Sequence, residues 1–232
     1  MAPISCIIPT RNGSLVIENS LITIARWLVD KPGSEILVLE NGSNDNTLEI
    51  LAKLQTEWNF DVQLRVYSVM NFGEAVRLGA RKARNSRLVI TADDLPFDLD
   101  DWESFDFSYT EVTIAHKKRE IKGFYSLFRL FITKCFLSCR IILLGIPFEV
   151  NGTIQLIGRS TEMVEKTSEI SVSLTMELMF ILAKNCFTIS EVPVIYREKT
   201  HKSRVRPVRD SWLTLMLLFK LRKRQSLSYK RL

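Results

Sequence analysis

Short apolar runs closed by polar turns alternate with longer stretches of helical period along the first ninety or so residues. Ile4 to Pro9 is the first such run and ends in Pro-Thr-Arg-Asn-Gly, the pattern of a buried strand leading into a loop. Ser14 to Leu28 then carries apolar residues at helical spacing. Glu35 to Leu39 predicts a second strand, stopped by Glu40-Asn41-Gly42-Ser43-Asn44-Asp45-Asn46, and Thr47 to Trp58 predicts the next helix. Val62 to Val69 reads as a third strand, Asn71-Phe72-Gly73 as a turn, Glu74 to Arg84 as a helix and Leu88 to Thr91 as a fourth strand. Strands and helices in strict alternation predict an α/β fold with a mostly parallel central sheet flanked by helices.

In such sheets ligands bind beyond the carboxyl ends of the strands, so the residues at those ends carry the functional argument. They are Pro9-Thr10-Arg11-Asn12, Glu40-Asn41-Gly42-Ser43 and Ala92-Asp93-Asp94-Leu95. A carboxylate at Glu40 can accept hydrogen bonds from a base or a ribose, and Asp93 and Asp94 can hold a divalent cation that bridges a diphosphate. The bland reading of the Asp pair is a loop or helix cap before a proline. Asp45 and Asn46 precede a helix and read as N-capping residues, and Gly73 as a requirement of the backbone. Neither GxGxxG nor GxxxxGK[ST] occurs, which leaves dinucleotide and P-loop sites unsupported. His116 and His201 lack ligand-spaced partners and read as solvated.

At 232 residues and 46% apolar content the chain can bury one full core. The division expected is a domain over 1–207 and a basic amphipathic tail over 208–232. Lys and Arg exceed Asp and Glu by 32 to 26, a net +6, with much of the excess beyond Arg197. That end should meet something anionic, and charge alone does not separate a lipid headgroup layer from a phosphorylated substrate or a nucleic acid. Cys6, Cys135, Cys139 and Cys186 show no metal spacing and read as buried free thiols. With no signal-peptide pattern after Met1, a cytoplasmic setting is expected. Charges interrupt every long apolar run, so membrane contact would be peripheral.

The set Ile8-Pro9-Thr10-Arg11-Asn12, Val38 through Thr47, Asn71-Phe72-Gly73 and Asp93-Asp94-Leu95, followed by Glu191-Val192-Pro193-Val194 and the stretch Arg197 to Arg209, resembles glycosyltransferase family 2. Within it the chain is most similar to the dolichyl-phosphate and polyprenyl-phosphate sugar synthases. The resemblance implies the GT-A fold, a GDP- or UDP-sugar donor, a divalent metal (Mg2+ or Mn2+) and inversion at the sugar carbon. It places Pro9, Arg11 and Glu40, with Asp93, around the nucleotide, and makes Asp94 the last carboxylate of the metal motif. Three positions depart from the pattern. Ala92 stands where the first carboxylate of Asp-x-Asp belongs, leaving Asp93 as the replacement ligand if there is one. Glu40-Asn41-Gly42-Ser43 replaces Asp-Asp-Gly-Ser, and Gly13 replaces a larger polar or acidic residue.

In the second half Lys118, Lys122, Arg129 and Arg140 would fall on one stripe of a helix rich in Phe and Leu, which suits either a membrane interface or a helix packed on the sheet. Ser211 to Phe219 predicts a last helix whose end, Lys220, Arg222, Lys223 and Arg224, could touch an anionic leaflet. Arg204 and Arg206, in a polar basic connection, are the guanidinium candidates for holding phosphates. Glu177 lies in an apolar helix, where it could orient an arginine, sit at the acceptor site or pair structurally. The function expected is transfer of a hexose to a polyprenyl phosphate at the inner membrane face, with no nucleic acid among the partners. Transfer to a sugar or lipid hydroxyl in surface polysaccharide synthesis, and nucleotide-sugar binding without turnover, are the alternatives.

Overall fold

The computed structural model describes residues 2–99, 102, 110–118, 134–135, 137–148, 153–195 and 207–229, with side chains of the last helix described over 212–224. Strands β1 (Ser5–Thr10), β2 (Glu35–Glu40), β3 (Gln63–Ser68) and β4 (Arg87–Ile90) alternate with helices α1 (Ile17–Leu28), α2 (Thr47–Glu57) and α3 (Phe72–Lys82). Then come β5 (Val112–Lys118), a helical stretch α4 over 137–144, β6 (Ile154–Ile157), a 3-10 helix (Gly158–Lys166), α5 (Leu174–Lys184), β7 (Ile189–Ile195) and α6 (Pro207–Tyr229).

The described strands form one seven-stranded sheet in the order β3-β2-β1-β4-β6-β5-β7. β6 runs antiparallel to β4 and to β5, and the other pairs are parallel. Both faces of β1 and β2 are buried, which is why these strands read as unbroken apolar runs. Alternate residues serve opposite cores. Cys6, Ile8, Ile36 and Val38 pack with α1 and α2, whereas Ile7, Leu37 and Leu39 pack with α3, the 3-10 helix and α5.

Several expectations from the sequence change here. Asn71-Phe72-Gly73 is no free turn: the Asn71 side chain accepts from Glu74 N at 2.8 Å and Phe72 and Gly73 open α3. Gly73 is required by a close approach, since a Cβ there would sit 2.1 Å from the Glu169 carbonyl oxygen. Of the four thiols only Cys6 is buried; Cys135 and Cys186 are exposed. Burial pushes the Cys6 thiol up to about 12, so it is inert at neutral pH. Lys118 ends strand β5, so it cannot share a helical stripe with Arg140, and Arg140 is buried rather than at an interface. Lys122, Arg129 and His201 lie outside the described residues. His116 is half-exposed, with Nδ1 3.6 Å from Glu191 across the β5–β7 pair.

The last helix is longer than its apolar pattern, and its inner face is part of the fold. Leu217, Leu218 and Leu221 are buried with Leu144, Ile146 and Phe180. Two residues of its basic end turn inward instead of toward a leaflet: Lys220 Nζ lies 2.7 Å from Glu169 and Arg224 Nη1 2.9 Å from Glu177. Arg222 and Lys223 are exposed. Among the described residues no helix is long and apolar enough to cross a membrane.

Candidate active site

Parallel register puts Thr10, Glu40 and Ser68 side by side, each the last residue of its strand. The amide of Thr91, just past β4, donates to the Ile7 carbonyl, so the chain after β4 rises along the same edge. Pro9 is buried in β1, Arg11 is exposed immediately beyond it, and Glu40 is buried at the tip of β2. Asp93 is buried and Asp94 half-buried in the turn after β4. The structure therefore brings Pro9, Arg11, Glu40, Asp93 and Asp94 to one edge. Arg204 and Arg206 lie outside the described residues.

The loops after β1 and β2 are laced into one platform. Asn41 N donates to the Thr10 carbonyl at 2.9 Å, Asn12 N to Ser43 Oγ at 2.9 Å, and Asn44 N to Asn12 Oδ1 at 2.9 Å. Gly13 N donates to Thr47 Oγ1 at 2.9 Å and Ser14 N to Asp45 Oδ2 at 3.2 Å. Because those amides are used across the loops, α1 starts at Ile17 and not at Ser14. Asn12 takes φ +53° and Gly42 φ +64°, the left-handed turn that Asn and Gly tolerate. Asp45 accepts from Thr47 N at 3.1 Å and thus caps α2 from one position before Asn46. Burial acts to raise the Asp45 carboxyl, but the bonds from Thr47 and Ser14 outweigh it and hold it at about 2.

Within this platform the unspent hydrogen-bonding capacity is that of acceptors. Glu40 Oε1 takes Ser43 N at 2.5 Å, the one side-chain bond Glu40 makes among the described residues. The Oδ1 atom of Asn41 is buried and takes no hydrogen bond among the described residues. Such an orphan costs about 1–3 kcal/mol unless a ligand satisfies it. Carboxylate and amide oxygens waiting at the end of β2 suit the N–H and O–H groups of a nucleoside.

The Asp pair divides. Asp93 Oδ2 accepts the Thr10 hydroxyl at 2.7 Å and points into the platform. It occupies room that Gly13 leaves, because a Cβ at 13 would lie 2.8 Å from Asp93 Oδ2 and 2.6 Å from Thr10 Oγ1. Thr91 gives no substitute ligand; its Oγ1 is buried and 2.9 Å from Thr153 Oγ1. Among the described residues no three His, Cys, Asp or Glu form a cluster able to hold a metal alone. A hard cation that arrives with a diphosphate needs only one or two protein carboxylates, the remaining ligands being phosphate oxygens and water. Asp94 and Asp93 are the carboxylates at this edge that could meet that requirement, Asp93 while its Oδ2 accepts from Thr10. Leu95 follows at φ +37°, strained for a branched residue and kept there by its buried side chain in the α1–α2 core.

Glu177, singled out in the sequence, is the centre of a second charged cluster. Glu177 is fully buried and accepts from Ser168 N at 2.7 Å, Glu169 N at 2.8 Å, Ser168 Oγ at 2.9 Å and Arg224. Burial would raise its carboxyl, but these bonds together lower it below the ordinary glutamate value. Arg77 donates to the Glu169 carbonyl at 3.0 Å and Gly73 N to that of Ile170 at 3.0 Å. The 167–170 loop is thereby clamped between α3, α5 and α6. Of the roles open to Glu177, its contacts are those of structural pairing, with Arg224 among the partners.

Residues 5–105 match the family model Glycosyl transferase family 2. No curated protein matches the chain. Among solved structures, the glucosyl-3-phosphoglycerate synthase of Mycobacterium tuberculosis in complex with Mn2+, UDP-glucose and phosphoglyceric acid superimposes with TM-score 0.66 at 13% identity, over 95% of this chain and 78% of that one. The same enzyme with Mg2+ and UDP gives TM-score 0.65 at 15% identity, over 95% and 78%. These likenesses establish the fold. Residues 5–105 are thus similar to glycosyl transferase family 2, and the chain has the GT-A fold of these solved structures.

Proposed function

We propose that this chain is a glycosyltransferase, which takes a nucleoside diphosphate sugar at the β1–β2–β4 edge and transfers its hexose, with inversion, to a polyprenyl phosphate at the cytoplasmic face of the membrane. The observation that carries the donor half is the acceptor-rich tip of β2, where Glu40 and the orphaned Asn41 Oδ1 await N–H and O–H groups. The similar glucosyl-3-phosphoglycerate synthase is in complex with UDP-glucose, which supports the same class of donor.

Within this reading the residues divide the work. Pro9 and Arg11 border the nucleoside beside Glu40. The laced loops fix these groups before the ligand arrives, so little ordering is left to binding. Asp93 keeps the Thr10 loop in place. Asp94 would hold a divalent cation, Mg2+ or Mn2+, whose contribution is to neutralise charge on the departing diphosphate. An acceptor phosphate is already ionised at neutral pH, so transfer to it requires no strong general base. Arg204 and Arg206 are the cations proposed to hold the phosphates, by the pattern of the sequence alone.

The membrane-bound acceptor is supported by the basic C-terminal segment and by apolar side chains exposed on α6. A second reading has its own observation: the similar synthase is in complex with phosphoglyceric acid or with glycerol 3-phosphate, which are small and water-soluble. Incubation of the chain with UDP-glucose or GDP-mannose and Mn2+, with either polyprenyl phosphate or phosphoglyceric acid present, separates the two. A glycosylated polyprenyl phosphate supports the leading reading. Product on phosphoglyceric acid alone replaces it with the second.

A further inference from the structure

Helix α6 is apolar on two opposite sides, and the fold uses only one of them. Leu217, Leu218 and Leu221 are buried at 3%, 1% and 0% exposure, while Trp212, Met216 and Phe219 are 62%, 53% and 55% exposed. At about 100° per residue Trp212, Met216, Phe219 and the exposed Lys223 fall within an arc of about 60°, facing away from the buried leucines. Helix α4 shares a core cluster with α6 and adds Ile142, 77% exposed. A surface helix usually keeps its outward face polar; one apolar all round calls for something to cover it.

We propose that this outward face of α6 docks on the surface of an anionic lipid bilayer. The charge around it selects that occupant. Residues 197–232 hold twelve of the 32 Lys and Arg and two of the 26 Asp and Glu. A second copy of this chain would bring the same positive segment against itself, which like-charge repulsion opposes, whereas headgroup phosphates complement it. Trp and Phe are suited to the headgroup boundary, and Lys and Arg reach outward from it. With no helix among the described residues long and apolar enough to cross, α6 lies on the surface and does not span it. Its other side carries Lys220 and Arg224, bonded to Glu169 and Glu177. The docked helix is therefore also the one that clamps the 167–170 loop.

The test uses the full chain and vesicles without nucleotide sugar or polyprenyl phosphate, so its result stands apart from the transferase reading. The chain should co-sediment with phosphatidylcholine vesicles containing phosphatidylglycerol and far less with phosphatidylcholine alone. The triple variant W212S/M216S/F219S, with an unchanged melting temperature, should bind the anionic vesicles more weakly by roughly tenfold or more. Independently of that variant, brominated acyl chains in the anionic vesicles should quench wild-type tryptophan emission, and W212F should remove most of the quenching. Equal binding by the triple variant, or no binding by the wild type, would overturn the proposal. A wild-type dimer in sedimentation velocity that becomes a monomer in the triple variant would assign the face to a second copy instead.

Discussion

The carboxylate of Asp93 lies 2.7 Å from the hydroxyl of Thr10, joining the turn after β4 to the loop after β1. The contact depends on a third residue, since the space Asp93 fills is the space a side chain at Gly13 would take. Asp93, the residue that the sequence offers in place of the missing first carboxylate, thus makes a contact between two loops.

Gly13→Ala should break that contact. Its Cβ would come within 2.6 Å of Thr10 Oγ1 and 2.8 Å of Asp93 Oδ2, so one of them must move. The expected cost is about 1–3 kcal/mol of stability, measured by denaturant titration. Donor affinity should fall as well, because the same loop carries Arg11 and Asn12. In the Thr10→Ala background the added loss from Gly13→Ala should shrink, since the Oγ1 that crowds a Cβ at 13 and its contact with Asp93 are already gone.

Asp93 and Asp94 should respond differently to the same isosteric change. Asp93→Asn keeps an oxygen able to accept from Thr10, so stability and manganese dependence should stay close to wild type, whereas Asp93→Ala should lose about 1–2 kcal/mol. Asp94→Asn should leave stability intact and abolish metal-dependent transfer. The pair of measurements is thermal denaturation and initial rate against Mn2+ concentration. Loss of metal dependence in Asp93→Asn would show that Asp93, and not Asp94, is the ligand.

Removing Arg224 leaves the fully buried Glu177 with its three bonds from Ser168 and Glu169. Arg224→Met should therefore cost only about 1–2 kcal/mol, since the arginine is itself half-exposed. Glu177→Ala strands two backbone amides and should cost more, about 2–4 kcal/mol. Hydrogen exchange at Ser168 and Glu169 should accelerate in both variants, more in the second.

Stability should fall in acid for a reason that can be assigned. A carboxyl held below its ordinary value stabilises the fold above that ordinary value and loses the contribution as pH falls through the folded one. For Asp45 the window runs from 3.8 down to about 2, and Glu177 adds a loss below the ordinary glutamate range. Asp45→Asn should flatten the stability profile between about pH 4 and pH 2 in urea titrations and leave the slope contributed by Glu177.

The strand and helix order of the N-terminal half was legible because β1 and β2 are buried on both faces and their ends are marked by Asn-Gly turns. Positions at the strand tips followed from parallel pairing, which aligns Thr10 with Glu40. What could not be read was the direction of a side chain after a turn. Asp93 and Asp94 are adjacent and chemically identical, and the sequence does not say which of them meets the hollow at Gly13. Nor could a helical pattern show that Lys220 and Arg224 would meet Glu169 and Glu177, residues about fifty positions earlier. The Lys118 to Arg140 stripe failed because the charged end of a strand and a charged helix look alike when basic residues are few; Lys118 belongs to β5.

The central claim is that the tip of β2 receives a nucleoside diphosphate sugar, and calorimetric titration tests it most directly. Titrating UDP-glucose and GDP-mannose with Mn2+ into the chain should give saturable heat for at least one, with Kd in about the micromolar to millimolar range typical of enzyme substrates. Glu40→Gln, which keeps an acceptor for Ser43 N, should weaken that binding by about tenfold. Absence of heat with both nucleotide sugars, or an affinity unchanged by Glu40→Gln, would contradict the account.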